Sequence, residues 1–334
     1  GAYQKEWGSD LAFRYLRQQR RPGDRVLTLS PTPCALYLGH CDRFAIQHGY
    51  EEFVVNRPGD GRPADLWTAT PLLTDTHEFA GLLASGPRLW LVTDGWRFQT
   101  RYDADFIQAV LDYMELVYDE RGVMVFRSSG APQPPPAFER EREAGFDQAL
   151  RLTGFGLSTR QPQPGDDLEV TLHWQALAEA GVGYTVFVHL LTADGQGVAG
   201  LDEPLLNDLY QPDLWPPGTT MTDRHRLTLP ADLPPGRYRL DVGLYPPGQP
   251  DELLPVGGSD RLPLTALQVG ELSLASPAVP LDVDFGRQLR LLDYDLDCPA
   301  EGESCTLGLQ WQAQAVMGRA YTAFFTRAYT KENP

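Results

Sequence analysis

The chain has 334 residues with 42% hydrophobic content, 29 prolines and 32 glycines. That is enough for two or three domains with sizeable cores, and it favours turn-rich β modules over helical bundles. A formal net charge of −17 excludes nucleic acid as a partner, because a duplex needs Lys and Arg to neutralise its phosphates, and it opposes tight binding to anionic lipid.

The predicted elements begin with an amphipathic helix in "SDLAFRYLRQQRRPGD", capped at Ser9 or Asp10 and stopped by Pro-Gly. "RVLTLS" (25–30) reads as a buried strand, "TPCALYLGH" as a short helix and "RFAIQH" as a second strand. "TDTHEFAGLLASG" is a helix with its cap at Asp75 or Thr76 and a terminal Gly86. "RLWLVTD" (88–94) is a third buried strand, "DADFIQAVLDYM" an amphipathic helix, and "ELVYDERGVMVFR" a hairpin turning at Asp119–Gly122. Strands alternating with helices predict an α/β layered sheet domain over 1–128. The Pro-rich run "SSGAPQPPPAFEREREAG" then reads as a spacer over 129–145.

From 146 the period changes to two. "LEVTLHW" places Val170, Leu172 and Trp174 on one face. "RYRLDVGLY" places Tyr238, Leu240, Val242 and Leu244 inward, with Arg237, Arg239 and Asp241 outward. Short alternating strands with an Asp-Gly turn in "TADGQ" predict an Ig-like β-sandwich over 146–270. The pattern then recurs from Phe285. Leu152 is answered by Leu291 at an offset of 139 residues, and Trp174, Gln175 and Ala176 by Trp311, Gln312 and Ala313 at 137. Residues 271–334 therefore read as a partial second sandwich, with "HRLTL" and "RYRLDVGLY" of the first copy expected to form much of its opposing face.

The cysteines form two local pairs, Cys34 with Cys41 and Cys298 with Cys305, neither at zinc spacing. Cys298 and Cys305 flank the turn-rich "PAEGES" and are expected to form a disulfide. Cys34 and Cys41 fit a disulfide or buried free thiols equally. No stretch is long and apolar enough to span a bilayer, and there is no signal peptide. The opening "GAYQKEW" lacks a Met, so the chain reads as an excised or processed piece.

The search for chemistry yields no catalytic residues, no metal site and no cofactor. "RVLTLS" is not followed by G-x-G-x-x-G, and there is no phosphate loop, G-x-S-x-G elbow or H-E-x-x-H. His173 and His189, placed on adjacent strands, and the acidic set Asp282, Asp284, Asp293, Asp295 and Asp297 read as surface groups before they read as metal ligands. Trp174 and Trp311 lie on apolar strand faces and belong to cores. Tyr210 and Trp215, in the Pro-rich loop "LYQPDLWPPG", are the candidate ligand-binding residues: either an exposed platform for a sugar ring or a lid over the end of the sandwich.

"FVHLLTADGQGVAGLDEPLLN" and "LWPPGTTMTDRHRLTLPADLPPGRYRLDVGLY" resemble a sandwich module behind bacterial polytopic glycosyltransferases related to protein O-mannosyltransferases. "FRYLRQQRRPGDRVLTLSPTPCALYL" followed by "RLWLVTD" is similar to the α/β region after their last membrane helix. The resemblance implies a soluble extracytoplasmic tail on the outer face of a bacterial membrane, joined to it through an upstream membrane region. The active site of that family, which uses polyprenyl-phosphate sugars, lies in the membrane-embedded half, and no residue here matches it. The expected role is a non-catalytic accessory region that binds or presents glycan or acceptor polymer. A freestanding carbohydrate-active enzyme with a substrate-binding sandwich, or a structural spacer, are the alternatives.

Overall fold

The computed structural model describes residues 8–56, 61–130, 140–270, 279–285, 288–297 and 306–313. They fall into two compact units, residues 1–270 and 271–334. The first unit opens with helix α1 (Gly8–Gln19), strand β1 (Arg25–Thr28), helix α2 (Pro31–Leu38) and strand β2 (Arg43–Ala45). Ser9 and Asp10 lie inside the first turn of α1 and do not cap it, because the helix already begins at Gly8. A two-stranded ribbon follows, β3 (Val54–Asn56) with β4 (Pro63–Asp65), then β5 (Leu72–Leu73). Helix α3 (Thr76–Ala84) is capped by Asp75, whose carboxylate accepts from His77 N at 2.7 Å. Strand β6 (Leu89–Asp94), helices α4 (Gly95–Thr100) and α5 (Ala104–Tyr113), and the hairpin β7 (Met114–Glu120) to β8 (Val123–Ser128) complete this part. Arg121 and Gly122 take positive φ at the hairpin turn.

The six strands are ordered β5-β2-β1-β6-β8-β7. β5, β2, β1 and β6 run parallel, and β8 pairs antiparallel with β6. Helices cover both faces, as a parallel sheet requires. One layer contains Phe13 and Leu16 of α1, Cys34 and Leu38 of α2, and Trp90, Val92 and Val125 of the sheet. Cys34 and Cys41, both buried here, are joined by a disulfide with Cα atoms 6.1 Å apart, which decides between the two readings of that pair. The other face packs Phe79, Phe98, Tyr102, Phe106, Ile107 and Val110 over Leu27, Leu89 and Leu91. The Phe79–Phe106 and Tyr102–Phe106 rings stack at 4.3 Å.

Two antiparallel four-stranded sheets follow within the same unit. One has the order β14-β11-β10-β9, with β9 (Arg140–Phe146), β10 (Leu150–Leu157), β11 (Asp167–Ala176) and β14 (Thr220–Thr228). The other is β13-β12-β15-β16, with β12 (Thr185–Leu191), β13 (Gly197–Pro204), β15 (Gly236–Tyr245) and β16 (Leu262–Val269). The β layers thus begin at Arg140, inside the segment read as a spacer. Val170, Leu172, Trp174, Val186, Val188, Leu240, Val242 and Leu244 are buried in the core they share. "HRLTL" does not belong to the opposing face, because His225–Thr228 pair with Val170–Asp167 of β11 in one sheet.

Asp241 was expected to point to solvent but is fully buried. Arg239 grips it through two bonds of 2.7 and 2.8 Å, and the strand pairing shifts register between Leu240 and Asp241. Strand β14, at the sheet edge, is covered by α5. The Gln108 side chain accepts from Thr222 N at 2.6 Å and donates to Thr222 O at 3.1 Å, acting as one residue of a missing strand.

The second unit contains one described sheet, β17 (Val279–Phe285), β18 (Leu289–Asp297) and β19 (Thr306–Ala313), in that order. Cys298 and Cys305 lie outside the described residues.

Candidate functional site

The chain winds from β1 to β2 and β5 on one side, then returns to place β6 on the other side of β1. Neighbouring loops therefore leave the carboxyl ends of β1 and β6 in opposite directions and open a crevice, the usual ligand position in open α/β sheets. A cleft of about 340 Å³ lies here. Leu29 to Pro33 line it after β1, Ile46 and Gly49 after β2, Arg97 after β6, and Phe53, Asp65 and Trp67 from the ribbon.

Its walls are aromatic and its polar groups differ in how far they are already used. Trp67 is 65% exposed and Phe53 41%, with ring centroids 6.0 Å apart. The Asp65 carboxylate turns back on its own loop, accepting from Trp67 N at 3.1 Å, Thr68 N at 2.7 Å and Thr68 Oγ1 at 2.7 Å. This loop presents Trp67 to solvent. Arg97 braces the two sides of the crevice: Nε donates to Asp94, Nη1 to Leu29 O at 3.0 Å and Nη2 to Ser30 Oγ at 3.1 Å. The Ser30 hydroxyl thus meets a guanidinium, and no histidine or carboxylate bonds to it among the described residues. Arg101 lies over the Trp96 ring at 5.3 Å, and its Nη1 reaches His48 O at 3.4 Å. Gly49 makes room for it: a Cβ there would come 1.7 Å from Arg101 Nη1, and φ is +70°.

Helix α2 opens at this cleft, but it is poorly built for phosphate. Pro31 and Pro33 remove two amide donors from its first turn. This agrees with the missing glycine fingerprint after β1.

Tyr210 and Trp215 do not form an exposed platform. They are 4% and 1% exposed, with ring centroids 6.0 Å apart. Trp215 Nε1 donates to Tyr210 O at 3.1 Å, and the Tyr210 hydroxyl to Leu214 O at 3.3 Å. A left-handed stretch at Leu206, Asn207 and Asp208 folds this loop inward. It is held by Asp223, which accepts from Leu206 N at 3.2 Å, and by Gln211, which donates to Leu205 O at 3.1 Å. The aromatic pair is a lid on the core.

His173 and His189 lie on β11 and β12, in different sheets, and so are not neighbours. His173 Nδ1 bonds Thr222 Oγ1 at 3.1 Å and His189 Nε2 meets Asp202 at 3.3 Å. Of the acidic set only Asp284 has a described side chain, and it pairs with Arg290 at 3.4 Å. Among the described residues no group of three potential ligands could hold a metal, and no helix is long and apolar enough to cross a membrane.

A second polar cluster was not foreseen. His225, on β14, is buried between the sheets. Its Nε2 meets Asp223 Oδ2 at 2.7 Å and its Nδ1 meets Glu203 Oε2 of β13 at 2.9 Å. Burial alone would lower its pKa. The two carboxylates outweigh that and raise it to about 9, so the imidazolium staples the edge strand of one sheet to the other.

No family model and no curated protein matches the chain. Among solved structures, the C-terminal domain of Wzt is 13% identical over 41% of this chain and 83% of that one, with a TM-score of 0.28. Spo0M, a sporulation control protein from Bacillus subtilis, is 12% identical over 52% and 69%, with a TM-score of 0.23. A β-glucosidase from Listeria innocua in complex with glucose is 18% identical over 35% of this chain and 16% of that chain, with a TM-score of 0.22.

Proposed function

We propose that the chain is a non-catalytic accessory region that binds or presents glycan or an acceptor polymer, through the cleft of the α/β part. The observation that carries this reading is the wall formed by Trp67 and Phe53 over apolar Leu29, Phe44 and Ile46, at the position where open α/β sheets take ligands. An exposed indole beside fixed polar groups suits a sugar ring, which stacks its apolar C–H face and bonds at its edge. The resemblance to tails of bacterial polytopic glycosyltransferases supports reading this activity on the extracytoplasmic face of a membrane, where the chain would hold acceptor near a catalytic half that lies elsewhere. In the same reading the paired sheets are an Ig-like sandwich, and the second unit is a tandem copy of its front half.

Titration of the purified chain with oligosaccharides, followed by tryptophan fluorescence and calorimetry, tests the proposal. Binding is expected to fall at least about tenfold in Trp67→Ala, the loss of one stacked aromatic contact, and to be unchanged in Leu177→Ala, an exposed apolar residue outside the cleft. Absence of binding to any saccharide or cell-surface polymer, or binding indifferent to Trp67, overturns it. Turnover of a glycoside or polyprenyl-phosphate sugar that a point substitution in the cleft abolishes would make the chain an enzyme instead.

A further inference from the structure

The two arginines of the cleft are in different states. Arg97 has its three donor positions engaged by Asp94, the Leu29 carbonyl and the Ser30 hydroxyl. Arg101 has one long bond, 3.4 Å to the His48 carbonyl, and the face of Trp96. Among the described residues no carboxylate pairs with it. The nearby acid Asp103 is engaged by His48 at 2.6 Å, and Asp65 by its own turn. In a chain of net charge −17, a guanidinium left without an acid beside a cleft is a distinctive feature. It is also a built one. Gly49, at positive φ, leaves the space its Nη1 occupies, and Trp96 supports the plane from the side. A guanidinium fixed in a plane with free donors binds carboxylate or phosphate bidentately.

We propose that the ligand of this cleft is an anionic saccharide, with a sugar face on Trp67 and a carboxylate or phosphate substituent on Arg101. The inference rests on the glycan-binding reading and adds the charge of the ligand to it. The two prolines at the start of α2 deprive the cleft of a helix-end anion site, so discrimination falls to the Arg101 side chain.

The test compares three probes of matched ring number with the purified chain at low salt: a neutral gluco-oligosaccharide, a uronic-acid oligosaccharide and a phosphorylated oligosaccharide. The variants are Arg101→Gln, Arg101→Lys and Trp67→Ala. One or both acidic probes are expected to bind about ten- to a hundredfold more tightly than the neutral one, the range of a charge-assisted bidentate contact. The preference should shrink as salt rises, vanish in Arg101→Gln and persist in part in Arg101→Lys. Which acidic probe leads distinguishes carboxylate from phosphate. Equal affinity for neutral and acidic probes, or a preference that survives in Arg101→Gln, overturns this inference. The glycan-binding reading then stands if Trp67→Ala still abolishes binding. Failure of all three probes to bind overturns both. Arg101 is only partly buried, and a melting temperature equal to the parent's shows that Arg101→Gln remains folded.

Discussion

The three strands β9-β10-β11 of the first unit and β17-β18-β19 of the second pair in corresponding registers. Leu150 faces Phe146 and Ala176, and Leu289 faces Phe285 and Ala313; Leu152 faces Trp174, and Leu291 faces Trp311. The register of the second pair of strands shifts between Leu152 and Gly154 in one and between Leu291 and Asp293 in the other. Yet Trp174 is 0% exposed and Trp311 38%, although each lies within 5.4 Å of its matching phenylalanine. In the first unit a second sheet lies across the aromatic face, whereas the described residues of the second unit form one sheet. Local pairing, then, is written into the strands themselves, while burial comes from a second layer. The backbone ladder alone leaves an apolar face open, and a single sheet is marginal without a covering layer.

The sharpest way to break this comparison is to truncate both tryptophans. Trp174→Ala should destabilise the first unit by about 3–5 kcal/mol, the cost of a large cavity in a closed core. Trp311→Ala should cost the second unit about 1 kcal/mol, since its indole has already kept much of its contact with solvent. Hydrogen exchange resolved by peptide reads the two separately, through residues 150–176 and 289–313. Equal losses would mean that the second sheet is as fully covered as the first.

A second difference is electrostatic. The pKa of His225 is raised to about 9 from an ordinary value of 6.5. The folded state therefore holds its proton more tightly than the unfolded chain does. The stabilisation is complete below pH 6.5 and is lost as pH rises through 9, amounting to at most about 3 kcal/mol. The first unit should unfold more easily at pH 9.5 than at pH 6 by roughly that margin, and His225→Gln should flatten the profile. The described strands of the second unit include no histidine and should lack this dependence. A first unit equally stable at both pH values would show that the Glu203–His225–Asp223 staple contributes nothing.

Much of the architecture was legible because burial follows period. Tyr238, Leu240, Val242 and Leu244 alternate inward as "RYRLDVGLY" indicates, and Asp75 caps α3 as its position before "THEF" indicates. What escaped depends on side-chain partners that no periodicity encodes. Asp241 obeys the alternation in register but is covered by Arg239. Tyr210 and Trp215 have the composition of an exposed loop, but Asp223 of β14 and Gln211 within the loop itself tie it to the backbone of Leu206 and Leu205 and draw it inward. The cleft was the least visible. Strands β3, β4 and β5 are two or three residues long, too short for any periodicity, and Gly49 meets Arg101 across 52 positions of sequence. The single aromatic in a segment bounded by Gly and Pro, "GRPADLWTATP", was the available signal for Trp67.

The smallest expected effect compares the two cysteine pairs, each seven positions apart. Cys34–Cys41 ties the middle of α2 to the loop before β2 within a buried layer. Closing so short a loop removes little freedom from the unfolded chain, so reduction should cost the first unit roughly 2 kcal/mol. Cys298 and Cys305 are expected to close a loop of the same length in the second unit. Unreduced peptide mapping should find both bonds as local pairs. Because the first pair is sealed in a packed layer, Cys34–Cys41 should resist dithiothreitol at concentrations that reduce an exposed reference disulfide, as access governs exchange. Reduction as fast as that of an exposed disulfide would mean that the α1–α2 layer opens locally, and its packing would not protect the bond.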